Sequence, residues 1–199
     1  RYRGNACPNW AIINGEKETG VTLFNLSQGV DSADIIDQKV VAIAPNDTTW
    51  DVYKKTPKGS IELLENFLKN LQNGNVKTGK QNHKDATCTV ARVPEDGLIS
   101  WNWNTEKIYN LIRGLSSPYP GAFTYYKNQK IIIQKASLLP NPPKYVGRIP
   151  GRIVTIGDSY VHVLTGDSLI ALNEIETDDG KTVKANTLLT SIKGTLENA

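Results

Sequence analysis

Residues 20–32 read GVTLFNLSQGVDS, and this stretch decides the fold class. Its first seven residues are rich in β-branched, aromatic and aliphatic side chains, which predicts a β-strand. A glycine-bearing loop follows and places the carboxylate of Asp31 shortly after that strand. In α/β folds, ligands bind outside the carboxyl ends of the strands. The stretch therefore predicts an α/β fold with Asp31 as a candidate functional residue, although a loop Asp is more often part of an Asx turn or a helix cap.

The flanking sequence is typical of a strand-rich α/β protein. The apolar residues 10–13 are closed by the turn pair Asn14-Gly15. Residues 35–43 predict a second strand, which Pro45 ends. Residues 20–26 and 35–43 are therefore the two strands that we expect next to Asp31.

Two helical segments are predicted next. Asp47 is expected to cap the first, because its carboxylate can accept a hydrogen bond from the free N–H groups of a first turn. Pro57 and Gly59 predict a break, and the second helix is predicted over residues 60–73, before Gly74. The apolar side chains expected to share one face of this second helix are Leu64, Phe67, Leu68 and Leu71.

The second half of the chain predicts one helix followed by short strands. Asn104 or Thr105 caps the helix, whose apolar face consists of Ile108, Leu111, Ile112 and Leu115. Turn signals such as Gly166-Asp167-Ser168 separate five predicted strands, at residues 122–126, 130–136, 152–156, 160–164 and 169–175. Short strands at this spacing are typical of a small closed barrel of the OB type.

Composition excludes several classes of protein. The 199 residues carry 23 Lys and Arg against 20 Asp and Glu, a formal net charge of +3, with 39% hydrophobic residues. These values are ordinary for a globular protein and exclude a disordered chain, a collagen-like repeat and a coiled coil. No apolar run approaches the ~20 residues of a membrane-spanning helix. A charge of +3 permits nucleic-acid binding but gives no argument for it.

The candidate metal and catalytic residues are few. Cys7 and Cys88 are far apart, and only His83 and His162 could join them, whereas structural zinc needs about four ligands at short spacings. We therefore expect reduced thiols in a cytoplasmic protein and no metal. We expect His83 to lie on the solvated surface and His162 to be a half-buried strand residue. Dinucleotide, phosphate-loop, serine-hydrolase and zinc-protease motifs do not occur.

The chain has no Met and begins with Arg1. Nothing at this end has the apolar region of a signal peptide. We therefore expect the true N-terminus to precede Arg1, the alternative being that a modified residue replaced the methionines and was left out of the sequence.

Several motifs along the chain, taken in order, resemble the 10-formyltetrahydrofolate-dependent formyltransferases. They begin with Tyr2-Arg3-Gly4 and continue through the second half of the chain. In full they are YRG (2–4), NWAIINGE (9–16), ETGVTL (18–23), VD (30–31), DIIDQ (34–38), RxPxDGxIxW (92–101), IR (112–113) and PYPGAF (118–123). Asn9-Trp10 and the PYPGAF run resemble the sugar-nucleotide branch more than the methionyl-tRNA branch, especially the formyltransferases acting on UDP-4-amino-4-deoxy-L-arabinose.

From Asn75 to Asp96 the composition changes to Lys, Asn, Gln, Thr and Asp without a period, which predicts a linker and a domain boundary near residues 86–96. Together with the resemblance, this implies that residues 1–82 form the second half of a Rossmann-like formyltransferase domain and that residues 83–95 are a linker. Residues 96–199 would form the OB-like C-terminal domain. The implied reaction transfers a formyl group from 10-formyltetrahydrofolate to a primary amine, without a metal.

The resemblance also implies site residues. The family uses an Asn, a His and an Asp, of which the Asp matches Asp31 as the catalytic residue, while the Asn and His would precede Tyr2. The folate site would use the backbone of the loop, together with Asn5, where close relatives carry Arg. These cofactor-binding positions are Asn5, Ser27, Gln28, Gly29, Val30 and Asp31. The common Asp-x-Gly is Asp31-Ser32-Ala33 here, which changes the conformational freedom of the loop.

Four residues are candidates for binding the amine substrate: Tyr2, Arg3, Tyr119 and Phe123. The rings of Tyr119 and Phe123 could stack on a nucleotide base, whereas the alternative is that the PYPGAF run fixes a turn and packs the barrel. The implied partner is a nucleotide-linked amino sugar. Two alternative functions stay open: a methionyl-tRNA substrate, and a non-catalytic binding fragment. A homodimer is a further open expectation.

Overall fold

The computed structural model describes residues 1–29 and 31–197, and these form two compact units. The first unit contains residues 1–12 and 16–92. The second contains residues 13–15 and the described chain from Val93 onward. Each unit has its own cluster of buried apolar side chains. Val30, one of the predicted folate contacts, lies outside the described residues.

Unit 1 is built from short strands and two helices. In chain order it contains β1 (Arg3–Gly4), α1 (Cys7–Ile13), β2 (Glu18–Phe24), β3 (Ile35–Ala42), α2 (Thr49–Gln72), a 3-10 turn (His83–Asp85) and β4 (Cys88–Thr89). β2 and β3 form an antiparallel hairpin, whereas β1 pairs with β4 in parallel. The loop of the hairpin contains Asp31, so Asp31 connects two antiparallel strands and does not follow a strand of a parallel sheet.

Residues 10–13, an apolar stretch to which the sequence assigned no helix, form most of helix α1. Pro8 is compatible with this helix because the first turn does not need its missing N–H. Ala11 and Ile12 pack with Ile43 and Val52 in the core of unit 1. The four-residue apolar run alone could not distinguish a buried strand from a buried helix.

Helix α2 passes through Pro57 without the predicted break. Proline lacks the N–H that would bond the carbonyl of Tyr53, and the hydroxyl of Thr56 donates to that carbonyl instead, at 2.9 Å. Gly59 is buried, and a Cβ there would lie 3.2 Å from Val21 Cγ2. The glycine therefore lets the helix approach the β2–β3 hairpin closely and does not end it.

The cap of α2 is Thr48 and not Asp47. Thr48 Oγ1 accepts from the N–H of Asp51 at 3.2 Å, and Asp51 Oδ2 accepts from the N–H of Thr48 at 3.1 Å, which is a capping box. Hydrogen bonds from Lys54 and Thr48 lower the pKa of Asp51 to about 2. Asp47 instead accepts from the N–H of Ala44 at 2.7 Å and pairs with Lys55.

The predicted apolar face of α2 is mostly exposed. Leu64, Leu68 and Leu71 keep 49%, 48% and 54% of their surface in solvent. The face buried in unit 1 instead contains Val52, Gly59 and Leu63. The helix has apolar side chains on more than one side. The spacing of apolar residues in the sequence therefore predicted a face that is not the buried one.

Unit 2 is an antiparallel sheet with one principal helix. It contains a 3-10 turn (Pro94–Gly97), α3 (Thr105–Leu115), β5 (Ala122–Tyr126), β6 (Gln129–Leu138), β7 (Ile153–Ile156), β8 (Val161–Leu164), β9 (Leu169–Glu176), β10 (Thr182–Lys184) and α4 (Ala185–Leu188). The strand order is β5-β6-β9-β8-β7, and β10 also pairs with β9. All five predicted strands are present, and the closed OB-type barrel stays a prediction.

Helix α3 covers this sheet with the face that the sequence predicted. Ile108, Leu111, Ile112 and Leu115 are all buried in one cluster with strand residues and Trp101. Asn104 is the cap, and its Oδ1 accepts from the N–H of Lys107 at 2.8 Å. The first turn of α3 is also bonded by a residue distant in sequence, Asp167. Its Oδ1 accepts hydrogen bonds from the N–H and the hydroxyl of Thr105, at 2.8 and 2.7 Å.

We expect Asp167→Ala to destabilise unit 2 by about 1–2 kcal/mol above pH 5, because a charged acceptor at a helix N-terminus is lost. Burial raises the pKa of Asp167, but the hydrogen bonds of Thr105 and Thr165 outweigh it and leave the pKa below its usual value. A lowered folded-state pKa contributes stability above the unfolded pKa, near 3.9, that disappears as the pH falls through the folded value. Urea unfolding at pH 7 and pH 3 measures this.

The matched control is Asp178→Ala, because Asp178 lies on an exposed turn of the same unit. It should change stability by less than about 0.5 kcal/mol. Equal losses in the two variants, or a loss for Asp167→Ala that is unchanged at pH 3, would contradict the assigned role of Asp167.

A second stability prediction concerns Gly121, in the PYPGAF run. Its φ is +89°, and a Cβ there would lie 2.2 Å from Ile132 Cγ2. Gly121→Ala should therefore cost about 2–4 kcal/mol, from left-handed strain and from overlap with β6. Gly180→Ala separates the two causes, since Gly180 has φ +76° and no atom within 4 Å. It should cost about 1 kcal/mol in the same unfolding measurement. An equal cost at both positions would exclude the overlap with Ile132.

Candidate functional site

A cavity of about 530 Å³ lies in unit 1, beside the N-terminal residues and the β2–β3 hairpin. This volume is within the usual range of ligand sites, about 300–1,000 Å³. Its wall brings together three of the residues singled out from the sequence, Tyr2, Arg3 and Asp31. The other wall residues that carry charge or a hydrogen-bonding side chain are Arg1, Cys7, Glu16, Glu18, Thr19, Thr22, Gln38, Lys39 and Gln81.

Asp31 is half-buried at this cavity, and the chain around it fixes its carboxylate. Its Oδ2 accepts a hydrogen bond from the N–H of Gly4 at 3.2 Å. Gly4 belongs to β1, whose partner β4 approaches so closely that a Cβ on Gly4 would lie 2.7 Å from the Thr89 carbonyl oxygen. A glycine is therefore required at position 4, and its exposed N–H becomes the donor that orients Asp31.

Strained backbone is concentrated at the same place. Five non-glycine residues in the described chain have positive φ, and three of them are Tyr2 at 56°, Ala6 at 54° and Asp31 at 50°. Such residues cost roughly 1–3 kcal/mol each and persist where their surroundings determine the conformation. Clusters of this kind occur at ligand and catalytic sites, so the strain supports a functional role for this wall of the cavity.

Tyr2 and Arg3 are held by side chains distant in sequence. The Tyr2 hydroxyl donates to Glu16 Oε1 at 2.8 Å, and the Tyr2 N–H donates to Thr87 Oγ1 at 2.8 Å. The Arg3 guanidinium donates to Gln81 Oε1 and lies 3.4 Å from His83 Nδ1. Arg3 is therefore directed towards the segment around Gln81, and it also lines the cavity.

Gln81 is a cavity residue that the sequence analysis did not identify. Its Nε2 donates to the carbonyl oxygens of Asp31 at 3.1 Å and Ala33 at 2.5 Å. No local pattern marks it, because its partners are about 50 and 78 residues away along the chain.

The predicted folate loop lies mostly outside the cavity wall. Ser27, Gln28 and Gly29 are exposed, and among the described loop residues before Ser32 only Asp31 lines the cavity. Ser27 Oγ donates to the Gly29 carbonyl oxygen at 3.3 Å, which closes a local turn. Asn5 is exposed and does not line the cavity either.

The aromatic pair of the PYPGAF run belongs to unit 2. Phe123 is only 6% exposed, packs edge-on against Tyr125, and has the Lys130 ammonium 4.1 Å from its ring centroid. These contacts leave little of its ring for a nucleotide base and favour the packing alternative. Tyr119 is half-buried and follows the cis peptide bond between Ser117 and Pro118.

The remaining candidates are the two histidines and the two cysteines. His83 is exposed, and His162 is half-buried and stacked on Tyr160, with burial lowering its pKa. Cys7 and Cys88 are free thiols. Within the described chain, no three His, Cys, Asp or Glu side chains are grouped so that they could hold a metal ion. No helix in residues 1–29 or 31–197 is long and apolar enough to cross a bilayer.

The solved structures that resemble this chain in fold include the following three. HypX from Aquifex aeolicus, in complex with tetrahydrofolic acid, is 20% identical, with a TM-score of 0.68, and the match covers 96% of this chain and 33% of that one. The N-formyltransferase from Helicobacter canadensis, in complex with folinic acid and dTDP-3-aminofucose, is 24% identical, with a TM-score of 0.65. The match covers 87% of this chain and 62% of that one. Methionyl-tRNA formyltransferase from Clostridium thermocellum is 25% identical, with a TM-score of 0.54. The match covers 69% of this chain and 58% of that one.

The chain thus spans between a third and about three fifths of the length of these structures. Two family models match its sequence. The one described as "Formyl transferase" matches residues 1–67, and the one described as "Formyl transferase, C-terminal domain" matches residues 92–193. The second match alone covers more than half of the chain, and the two matches follow the order of the two units. The chain therefore belongs to the formyl transferase family of enzymes.

Proposed function

We propose that this protein transfers a formyl group from 10-formyltetrahydrofolate to the amine of a nucleotide-linked amino sugar. In this proposal, residues 1–82 belong to a Rossmann-like catalytic domain, residues 83–95 are a linker, and residues 96–199 form an OB-like domain. The chain belongs to the formyl transferase family, and the observation that carries the proposal is the position of Asp31. Its carboxylate accepts from the N–H of Gly4 at the wall of a cavity of about 530 Å³.

The chemistry requires an amine nitrogen to form a bond to the formyl carbon while the bond from that carbon to a folate nitrogen breaks, and a proton passes from the amine to the departing folate nitrogen. Negative charge develops on the formyl oxygen and needs hydrogen-bond donors. A carboxylate beside a histidine raises the pKa of that histidine and keeps it protonated as such a donor. We assign this role to Asp31, acting on the family's histidine. 10-Formyltetrahydrofolate would supply the activated formyl group.

The residues present fit a folate derivative in two respects. The cavity volume suits a ligand of that size. Residues 27–29, close to Asp31 in sequence, are exposed, so a pterin edge could approach their peptide groups. We propose these groups, with Asn5, Val30 and Asp31, as the folate contacts, and Tyr2 and Arg3 as substrate contacts.

The amino-sugar substrate is supported by the fold match to an N-formyltransferase crystallised with dTDP-3-aminofucose. Methionyl-tRNA is the alternative substrate, since a methionyl-tRNA formyltransferase also matches, with a lower TM-score and over less of the chain. A tRNA substrate would require many phosphate contacts from Lys and Arg. The net charge of +3 does not suggest such a basic surface.

The substrate proposal is tested by formyl transfer by the intact protein from 10-formyltetrahydrofolate to a panel of acceptors. The panel contains dTDP- and UDP-linked amino sugars and methionyl-tRNA, with product detected by mass spectrometry. We expect formylation of at least one nucleotide amino sugar, insensitive to salt between 50 and 200 mM. Formylation of tRNA alone, falling steeply with salt, would replace the proposed substrate with the alternative. Tetrahydrofolate binding without any transfer would favour the non-catalytic alternative.

Asp31→Asn tests the catalytic assignment. Asn keeps an oxygen that accepts from Gly4 N–H and tolerates positive φ, so the loop should keep its conformation. Loss of the negative charge should lower kcat by about 10²–10⁴ while the Kd of tetrahydrofolate changes less than threefold. Asp37→Asn is the control, because Asp37 is exposed and does not line the cavity, and it should retain the wild-type kcat. A wild-type kcat in Asp31→Asn would remove Asp31 from the mechanism.

A further inference from the structure

Gln81 reaches the Asp31 loop because its segment is docked on the end of that loop. Ile35 and Gly79 exchange two backbone hydrogen bonds, N–H to carbonyl in both directions, each 2.8 Å long. This bridge fixes the chain two residues before Gln81 beside the first residue of β3. The half-buried side chain of Gln81 therefore starts from a backbone held beside the Asp31 loop.

The amide nitrogen of Gln81 holds the backbone on both sides of Ser32. It donates to the carbonyl oxygen of Asp31 at 3.1 Å and to that of Ala33 at 2.5 Å. Asp31 has a left-handed backbone, with φ at +50°, and a hydrogen bond to its carbonyl oxygen restricts the rotation about its Cα–C bond. Holding this carbonyl therefore helps to keep the backbone from which the Asp31 side chain leaves the loop in one conformation.

The amide oxygen of Gln81 continues the connection to β1. It accepts from the guanidinium of Arg3, and the next residue, Gly4, donates its N–H to Asp31 Oδ2. Arg3, Gly4, Asp31 and Gln81 thus form a closed ring of hydrogen bonds. Each end of Asp31, its carbonyl and its carboxylate, is held by one side of this ring.

We infer that Gln81 is a positioning residue, which acts through Asp31 by holding its backbone so that the carboxylate stays directed at Gly4 N–H and the cavity. The inference rests on the proposed function, because it assigns Gln81 a role in orienting the proposed catalytic carboxylate. Both polar atoms of the Gln81 amide are engaged by the protein, the nitrogen by the Asp31 loop and the oxygen by Arg3, so Gln81 acts through the residues that it holds.

Only a carboxamide of this length can make both connections. Glu at position 81 would keep an acceptor for Arg3, lose the donors to the two carbonyl oxygens, and place negative charge against them. Met would keep the length of the side chain and remove both functions without adding charge. The pair Gln81→Glu and Gln81→Met therefore separates a loss of the donors from an effect of the new charge.

The experiment compares these two variants with the wild-type full chain and with Gln72→Glu. Gln72 makes a suitable control because it ends helix α2 in an exposed position and does not line the cavity. Amide hydrogen exchange of Gly4 and Ile35, followed by NMR, reports the ring without any activity. We expect exchange at Gly4 to accelerate at least tenfold in both Gln81 variants, with exchange in unit 2 unchanged, and no change in Gln72→Glu.

Kinetics with 10-formyltetrahydrofolate and dTDP-3-aminofucose provide the second measurement. A misdirected carboxylate should lower kcat at least tenfold in both Gln81 variants, while KM for 10-formyltetrahydrofolate changes less than threefold. Unchanged Gly4 exchange, or an unchanged kcat despite faster Gly4 exchange, would overturn the inference. If the wild type formylates no acceptor of the panel, the proposed function fails, and Gly4 exchange still decides whether Gln81 holds the loop.

Discussion

Asp31 adopts a left-handed backbone although it is not glycine, and the arrangement of the site in unit 1 depends on how that conformation is maintained. Gly4 must lack a side chain so that β1 can approach β4, and the N–H that it presents receives the Asp31 carboxylate. The hairpin supplies the loop, and the chain after α2 returns to the loop through the bridge between Ile35 and Gly79. Three segments that are distant in sequence therefore determine the geometry of one carboxylate.

Much of unit 2 could be predicted from the sequence, because its strands are short, regularly spaced and separated by clear turn residues. The cap and buried face of α3 were also correct, since its apolar residues occupy a single side. In unit 1, local signals were ambiguous. Pro57 removes the N–H that would bond the carbonyl of Tyr53, and the neighbouring Thr56 hydroxyl supplies a donor to that carbonyl instead. The four apolar residues of α1 have no period long enough to distinguish a helix from a strand.

The candidate site could be predicted only where one residue carried its own signal. Asp31 has such a signal, a carboxylate on a glycine-bearing loop, and the resemblance to formyltransferases reinforced it. Gln81 has none, because its role is defined by partners that lie far from it in sequence. Phe123 is the opposite case, because its motif suggested a ring available for stacking on a base. In the fold this ring is buried and is contacted by Lys130.

The hydrogen-bond ring that directs Asp31 is closed by a carboxamide, a guanidinium and backbone groups. A carboxamide has no proton to gain or lose in the pH range of folded proteins, and a guanidinium stays charged throughout it. A clamp made from a second carboxylate or a histidine would instead loosen or tighten as the solution became acidic. Gln81 and Arg3, the two side chains that complete the ring, therefore keep the same charge over this range, and their hold on the Asp31 backbone does not depend on a proton of their own.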